Sequence, residues 1–573
     1  MKGGYSQDIN YSLSGNQYLS DLSYNRLFVI GLTIALAFLF VAFKLVSVTF
    51  ITDFEDNSNY SENNNFYMHR KEILDRNGVL LAVNLATASL YAKPKHIYEP
   101  KEVAKKLVNI FPDLNYENLV ADFSGDKKFI WIKRNISPKE QYAVNNLGIP
   151  GIDFEKGERR IYLQENMFSH ILGYVDVDGA GIAGIEKSFD KYLSTDAIKT
   201  EGDKKNLSLS VDVRVQHILH NVMSKAVSEY RAEGAAGVIM DANNGEIYAM
   251  VSLPDFDPHN AKNARSEQLF NRATLGVFEL GSILKLCTIA MALDTKSVAL
   301  NDVYYVKDPV KAAKFKITDY RGKHTWLSVP EIFMYSSNIG TARIVLEMGM
   351  ENQKKYLKKF GLNEKLSVEL PERGLPILPA DSYWNEINTM TISYGYGIAV
   401  SPLHFAQITG ALVNGGHLYP ATLIKGKNDS PDKKIQSVIR AETSDKIRKL
   451  MRLIVTNGSG RRSEVKGYLV GGKTGSANKP LKGGYNEDAK ISTYVAAFPM
   501  NEPKFVVMLM LDSPKAETKH LSMGGTAVAP LAKEIIEKIG PILGVKPVNE
   551  QDEEIKSKLH LDYRTDSEIL ESF

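Results

Sequence analysis

Ser282 and Lys285, in the stretch ELGSILKL, stand three positions apart and could carry out nucleophilic chemistry. On a helix, residues three apart share a face, so we expect the lysine amine within hydrogen-bond reach of the serine hydroxyl. A serine hydroxyl is a poor nucleophile until a base removes its proton, and a neutral amine can be that base. Lowering the lysine pKa from about 10.4 to near 7 requires roughly 4 to 5 kcal/mol of desolvation and positive neighbours.

This spacing alone identifies no site, because it occurs by chance in many chains. The alternative is that Ser282 caps a helix and Lys285 reaches solvent along its stem. Two further groups in the sequence favour chemistry over capping. They are Ser336 and Asn338 in YSSNIG, and Lys473, Thr474, Gly475 and Ser476 in GGKTGSA. Ser-x-x-Lys, Ser-x-Asn and Lys-Thr-Gly in this order form the motif set of serine penicillin-recognising proteins, here with Ser-Ser-Asn in place of Ser-Asp-Asn.

The elements that must position these residues extend from about residue 207 to 545. A short strand from Leu207 to Val211 precedes an amphipathic helix that begins near Val213, and AAGVIMDANNGEIYAMVSL predicts two strands joined by a polar turn. Near the end, STYVAAF and KFVVMLMLD predict a hairpin across PMNEP, before a final helix in APLAKEIIEKIG. The pattern predicts an α+β domain with a central antiparallel sheet flanked by helices.

A separate domain is predicted over residues 70–206, where strand-like and helical runs alternate. In EILDRNGVLLAV, two apolar runs flank Asn77-Gly78, which predicts a hairpin with a type I′ turn. The highly charged residues 546–573 predict a solvated, partly disordered tail, and the alternative is a docking element.

The N-terminal region predicts a membrane anchor over residues 27–51. LFVIGLTIALAFLFVAF contains no charge, and LVSVTFI continues the apolar run after Lys44. A helix needs about 20 such residues to cross the hydrocarbon core. A buried core helix and a cleaved signal peptide are the alternatives, but the run is too long and no convincing cleavage site follows it. The flanking charges place residues 1–26 in the cytoplasm, and residues 52–69 form a linker to an extracytoplasmic portion.

Composition excludes some partners and sites. The net charge of +3 gives no electrostatic case for nucleic acid. Cys287 is the only cysteine, so no intramolecular disulfide and no cysteine-based zinc cluster can form. The scarcity of thiols fits export without demonstrating it.

The motifs and their surroundings resemble the class B penicillin-binding proteins, which are membrane-anchored D,D-transpeptidases of peptidoglycan. RKEILDRNGVLLAVN and RRIYLQENMFSHILGYVDVDGAGIAGIEKSFDKYL resemble the two motif blocks of the family's elongated pedestal, with Lys71 in place of glycine and Leu163 in place of proline. NRATLGVFELGSILK resembles the nucleophile block, with Leu280 in place of proline. TISYGYGIAVSPLHFAQITGALVNGG and SMGGTAVAPLAKEI resemble the blocks on either side of the third motif. The resemblance implies a serine-transpeptidase, β-lactamase-like domain.

The resemblance also implies catalytic roles. Ser282 would attack the carbonyl between the two terminal D-alanines of a stem peptide, and Lys285 would accept its proton. Ser336 would relay a proton to the leaving amine, near Lys285 and Lys473. An amine from a neighbouring stem would then attack the acyl-enzyme and form the cross-link, with no metal or organic cofactor.

The remaining motif residues would bind substrate. Asn338 would hold the substrate amide, and Lys473 and Thr474 would bind the terminal carboxylate of the donor. The backbone N–H of Ser476 would join that of the nucleophile in an oxyanion hole. Gly475 would let substrate approach the strand closely. β-Lactams would mimic the donor and acylate the nucleophile.

Within the family, HILGYVDVDGAGIAGIEKSFD and GGYNEDAKISTYVAAFPMNEPKFVVMLMLDSPK are more similar to the division-specific members than to the elongation-specific ones. The resemblance then implies a single-pass protein of the inner membrane, acting at the septum with a multipass glycan polymerase and other division proteins. An elongation-specific transpeptidase is the alternative within the family. A secreted β-lactamase, or a non-catalytic β-lactam-binding scaffold or sensor, are alternatives outside it.

Overall fold

The computed structural model describes residues 28–42, 70–194, 206–312, 315–320, 322, 325–429, 435–565 and 567–568. Residues 28–42 form one helix, in a unit separate from the chain after residue 68, and its large apolar side chains, such as Phe38, are exposed. Among the described residues, no helix is both long and apolar enough to cross a membrane. Of the predicted anchor and its flanks, residues 1–27 and 43–69 lie outside the described residues.

The second unit begins with a five-stranded sheet around a long central strand. Its strands are β1 (Ile73–Leu74), β2 (Leu80–Ala92), β3 (Ile130–Ile136), β4 (Ile152–Tyr162) and β5 (Leu207–Ser208). β2 pairs antiparallel with β1, β3 and β4, whereas β1 and β5 are parallel. The associated helices are α1 (Pro100–Ile110), α2 (Tyr116–Phe123), α3 (Pro138–Asn145), α4 (Ser169–Leu172), α5 (Gly184–Ser188) and α6 (Asp190–Ser194).

The predicted hairpin at the start of this sheet is present, but its predicted turn type is wrong. Gly78 has a φ of +85°, whereas Asn77 is not left-handed, so the two central positive φ angles of a type I′ turn are missing. Gly78 N–H donates to Asp75 O, and the Asp75 carboxylate accepts from the N–H groups of Asn77 and Val79. A type I turn followed by a left-handed glycine therefore joins β1 to β2.

A buried ionic cluster ties the start of this region to its end. Glu186 is fully buried and accepts from Arg70 Nε at 2.6 Å and from Arg160 Nε at 2.7 Å. Arg70 also donates to Asp190, at the N-terminus of α6. Burying three charges is tolerable only when they are paired in this way.

The larger part of the unit is built on a second five-stranded sheet, fully antiparallel, in the order β14-β15-β16-β6-β7. Its strands are β6 (Gly234–Asp241), β7 (Ile247–Leu253), β14 (Gly471–Leu481), β15 (Gly484–Phe498) and β16 (Phe505–Asp512). Three two-stranded ribbons comprise β8 (Val303–Tyr305), β9 (Val310–Ala312), β10 (Phe315–Ile317), β11 (Trp326–Ser328), β12 (His417–Leu418) and β13 (Gln436–Ser437). The predicted central antiparallel sheet and both predicted hairpins, β6–β7 and β15–β16, are confirmed.

Helices cover both faces of this sheet. They are α7 (Val213–Glu229), α8 (Ser266–Leu269), α9 (Lys285–Asp294), α10 (Val329–Tyr335), α11 (Asn338–Met348), α12 (Met350–Lys359), α13 (Glu386–Ser393), α14 (Pro402–Val413), α15 (Ala441–Asn457), α16 (Ala529–Ile542) and α17 (Glu553–Leu559). Strand β16 shows why both faces are covered: Val507 and Leu509 pack against the core that contains α7 and α16, whereas Met508 and Met510 pack against the core that contains α9 and α14. Successive side chains point to opposite faces, so a strand that is apolar at every position needs two covered faces.

The charged C-terminal segment is not the solvated tail that we predicted, as far as the structure describes it. Val548, Ile555 and Leu559 pack against the core, and Val548 N–H donates to Gly467 O. Glu550 accepts from Gly467 N–H at 2.6 Å. The docking alternative holds because apolar side chains at helical spacing on α17 outweigh the surrounding charges.

Candidate active site

Ser282 lies in a single 3₁₀ turn, Gly281–Leu284, that runs directly into α9. Gly281 has a φ of +61°, and a Cβ there would lie 2.6 Å from Ser476 O. Glycine is therefore required both by the backbone conformation and by the neighbouring strand. Leu280, where the family has proline, is fully buried, and its carbonyl accepts from Thr493 Oγ1 at 3.1 Å. The turn thus holds Ser282, half-buried, against the edge of β14.

Lys285 is the first residue of α9 and is fully buried. Its Nζ donates to Ser336 O at 2.5 Å, to Ser336 Oγ at 3.1 Å and to Asn338 Oδ1 at 2.7 Å. Lys285 does not form the expected hydrogen bond with the Ser282 hydroxyl. That hydroxyl forms no hydrogen bond with any other described residue either. The three acceptors of the amine are instead two oxygens of Ser336 and one of Asn338.

Ser336 and Asn338 lie on the tight connection between α10 and α11. Ser336 ends α10 in the left-handed conformation, with φ 60° and ψ 43°. Ser337 then caps α11, and its Oγ accepts from Gly340 N–H at 2.9 Å. A non-glycine residue held in this conformation costs about 1 kcal/mol or more, so the surrounding contacts must enforce it. The turn directs both Ser336 Oγ and Asn338 Oδ1 toward Lys285.

Strand β14 supplies the third segment. Lys473 is fully buried, and its Nζ donates to Ser336 Oγ at 3.0 Å and to Thr474 O at 3.1 Å. A Cβ at Gly475 would lie 2.3 Å from Thr493 Oγ1 and 2.5 Å from Leu280 O, so only glycine fits there. Ser476 Oγ accepts from Gly524 N–H at 3.0 Å.

The two lysine amines share one partner, because both donate to Ser336 Oγ. Burial lowers the pKa of Lys285 well below its usual value, and the positive charge of Lys473 lowers it further, whereas Asp319 opposes the shift. Burial lowers the pKa of Lys473 to about 7. Such depressed amine pKa values are those that a lysine base requires at neutral pH.

Four further residues complete the site, and none of them belongs to a motif in the sequence. They are Thr318 and Asp319 on the segment after β10, Ser459 in the loop after α15, and Thr493 on β15. Ser459 Oγ lies 2.8 Å from Thr474 Oγ1, so a second hydroxyl adjoins that of Thr474. No local sequence signal marks these residues, since each meets the site only through long-range packing.

The structure therefore brings three distant segments together. Ser282 and Lys285 come from the turn and α9, Ser336 and Asn338 from the α10–α11 connection, and residues 473–476 from β14. The arrangement offers a hydroxyl nucleophile in a turn beside a strand edge, two buried amines of depressed pKa, and a hydroxyl between the two amines that can pass a proton. These are the parts needed for acyl transfer through a serine ester. Among the described residues, no cluster of His, Cys, Asp and Glu could hold a metal ion.

Comparisons with known proteins agree with this chemistry. Residues 235–537 match the family described as Penicillin binding protein transpeptidase domain, and residues 67–207 match the Penicillin-binding Protein dimerisation domain. The chain is 36% identical over 489 residues to the "Probable peptidoglycan D,D-transpeptidase FtsI" of Caulobacter vibrioides, covering 83% of this chain and 82% of that protein. It is 31% identical to the "Probable peptidoglycan D,D-transpeptidase PenA" of Neisseria meningitidis, covering 83% and 85%.

A solved structure shows the same fold. Penicillin binding protein 3 from Mycobacterium tuberculosis, complexed with aztreonam, superposes with a TM-score of 0.66 at 21% identity, covering 84% of this chain and 97% of that one. The resemblance found in the sequence is thereby confirmed: the chain belongs to the penicillin-binding protein transpeptidases, as a class B member of the FtsI type.

Proposed function

We propose that this chain is a serine D,D-transpeptidase that cross-links peptidoglycan stem peptides and is acylated by β-lactams. The observation that carries the proposal is the meeting of Lys285, Ser336 and Lys473 within 3.1 Å, from three segments far apart in sequence. The similarity to proteins named peptidoglycan D,D-transpeptidase supports the substrate class.

The reaction follows from the residues present. The Ser282 hydroxyl attacks the carbonyl between the two terminal D-alanines while neutral Lys285 takes its proton, so a C–O bond forms. The C–N bond then breaks, and Ser336 passes a proton to the leaving D-alanine amine. An acceptor amine attacks the ester, loses a proton to neutral Lys285 and forms the new amide, and that proton returns to the Ser282 oxygen as its C–O bond breaks. The backbone N–H groups of Ser282 and Ser476 stabilise the oxyanion at both stages.

Substrate binding falls to the remaining groups. Asn338 holds the substrate amide, and Lys473 and Thr474 bind the donor carboxylate. A carboxylate beside Lys473 raises the pKa of its amine, so binding favours the charged form that pairs with it. The hydroxyl of Ser459, beside Thr474, extends the same polar surface.

Labelled penicillin tests the activity. Wild-type protein should form a long-lived adduct that mass spectrometry locates on Ser282, and Ser282→Ala should form none. Ser266→Ala, at the exposed N-terminus of α8, is the matched control and should label as wild type does. Rapid release of the label would instead indicate a β-lactamase. A stable adduct without cross-linked product from donor and acceptor stem peptides would indicate a scaffold or sensor.

We propose further that residues 27–51 anchor the protein in the inner membrane, with residues 1–26 in the cytoplasm and the catalytic domain outside. The uncharged run of residues 27–43, the apolar residues that follow Lys44 and the exposed apolar side chains of helix 28–42 support this assignment. We place the enzyme at the division septum, with a multipass glycan polymerase and other division proteins as partners. A fluorescent fusion should then concentrate at mid-cell, whereas a side-wall signal would favour the elongation role.

A further inference from the structure

Asp319 lies outside the three motifs, on the segment that follows strand β10. Its Oδ1 accepts from the backbone N–H groups of Asn338 at 2.5 Å and Ile339 at 3.0 Å. Its Oδ2 accepts from Ser337 Oγ at 2.6 Å. One half-buried carboxylate thus receives three hydrogen bonds from consecutive residues of the α10–α11 connection. These are charge-assisted bonds, which are roughly twice as strong as neutral ones.

The same segment sets the orientation of the Asn338 amide. Asn338 Nδ2 donates to Thr318 O at 3.1 Å, which leaves Oδ1 directed at Lys285 Nζ, 2.7 Å away. Ile317, which precedes Thr318 and ends β10, is buried in the core and so fixes where the segment leaves that strand. Thr318 and Asp319 therefore hold Asn338 by its backbone and its side chain together.

The carboxylate also acts at a distance on the buried amine. Two charged groups bear on Lys285: the amine of Lys473, which shares Ser336 Oγ with it, and the carboxylate of Asp319. Burial and Lys473 lower the pKa of Lys285, and Asp319 raises it. Removing the negative charge should therefore lower the pKa of Lys285 further.

We propose that Asp319 is a positioning residue for acylation, which holds the Ser336–Asn338 turn and moderates the charge of Lys285 without touching substrate. The proposal rests on the serine transpeptidase activity proposed above. The carboxylate fixes the two side chains, Ser336 and Asn338, that the Lys285 amine uses as partners. Without the carboxylate, the three residues that follow the left-handed Ser336 lose the hydrogen bonds that hold them in place.

The test compares acylation of full-length wild type, Asp319→Ala and Asp319→Asn by labelled penicillin across pH 5 to 9. Asp319→Ala removes every acceptor and should lower the second-order acylation rate constant by about tenfold or more, equivalent to about 1.4 kcal/mol. Asp319→Asn keeps one oxygen for the backbone N–H groups, so it should recover part of the rate. In both variants the acidic limb of the pH–rate profile should move to lower pH, since this limb reports the pKa of the base.

The matched control is Asp552→Ala. Asp552 caps α17, where its Oδ1 accepts from Glu554 N–H at 2.9 Å, and it lies on the C-terminal segment. This variant should lower the melting temperature slightly and leave the acylation rate and its pH profile unchanged. It therefore distinguishes the effect of losing a helix cap from the effect of disturbing the active site.

The rate constants are normalised to the fraction of protein that can be acylated at saturation, so partial unfolding does not enter them. A wild-type rate and pH profile in Asp319→Ala overturns the proposal. A slower rate with an unmoved acidic limb in both variants also overturns it, because a purely structural carboxylate would give that result. If wild type itself forms no adduct at Ser282, the proposed activity fails, and that outcome is distinct from either of these.

Discussion

Replacement of Lys473 by methionine should stabilise the protein near neutral pH while it abolishes the proposed carboxylate site. Lys473 is fully buried, and its pKa falls from the usual 10.5 to about 7. In the unfolded chain the amine binds a proton up to about pH 10, whereas in the folded protein it releases that proton near pH 7. Folding therefore becomes more favourable as pH rises from 7 to 10, because the unfolded state holds the extra proton over that window.

The size of the effect follows from the two pKa values. At about 1.4 kcal/mol for each tenfold difference in proton affinity, the buried amine costs about 4 kcal/mol at pH 7 and about 2 kcal/mol at pH 9. Methionine removes this cost but leaves Ser336 Oγ and Thr474 O without one donor each, a loss of about 2 kcal/mol. Lys473→Met should thus gain about 2 kcal/mol at pH 7 and close to nothing at pH 9.

Thermal melting of wild type and Lys473→Met at pH 6, 7, 8 and 9 measures this difference. At pH 7 the variant should melt about 3 to 5 °C higher, and the gap should close by pH 9. Lys479→Met, on the same strand, is the control: burial lowers the pKa of Lys479, but the carboxylates of Asp512 and Glu233 raise it above its usual value. Its effect should be constant over this pH range. A Lys473→Met gap that does not change between pH 6 and 9 would refute the assignment of a titrating buried amine.

Two further substitutions and one truncation test the scaffold. Gly281→Ala should slow acylation by labelled penicillin at least tenfold, equivalent to about 1.4 kcal/mol, because its Cβ would lie 2.6 Å from Ser476 O at a φ of +61°. Glu186→Gln should lower the free energy of unfolding by about 3 to 5 kcal/mol in denaturant titrations, since two buried arginines lose their charged partner. Truncation after Val545 should lower the melting temperature, because partly buried side chains on α17 contribute roughly 1 kcal/mol each; an unchanged melting temperature would mean that the segment does not dock in solution.

The sequence predicted the elements whose signals are local. Helix α7 begins at Val213, where amphipathic periodicity placed its start, and β15 and β16 are apolar runs joined at a turn rich in proline. The order of the three motifs also predicted which side chains would meet. Such features follow from nearest neighbours in the chain or from the resemblance, and neither needs knowledge of tertiary packing.

The features that the sequence did not reveal depend on contacts between distant segments. Lys285 donates to the oxygens that the left-handed turn at Ser336 presents and forms no hydrogen bond with Ser282, and nothing near Lys285 in sequence indicates that turn. Asp319 precedes the helix that it caps by 19 residues, so no capping pattern includes it. The charge of the C-terminal segment predicted a solvated tail, and that prediction is wrong. Its few apolar residues indicate docking only when the surface that they pack against is known.

The Lys285 amine has three oxygen neighbours, and this number determines how the charged and the neutral amine can be hydrogen-bonded. An ammonium has three N–H donors and satisfies all three oxygens, whereas a neutral amine has two N–H donors and one lone pair. Loss of the proton can leave all three contacts in place, because two N–H groups still donate to Ser336 O and Asn338 Oδ1 while the lone pair accepts from the Ser336 hydroxyl. The Ser336 oxygen then accepts from Lys473 while its own proton points at Lys285. The protonation of one amine thus sets the direction in which the hydroxyl between the two lysines donates.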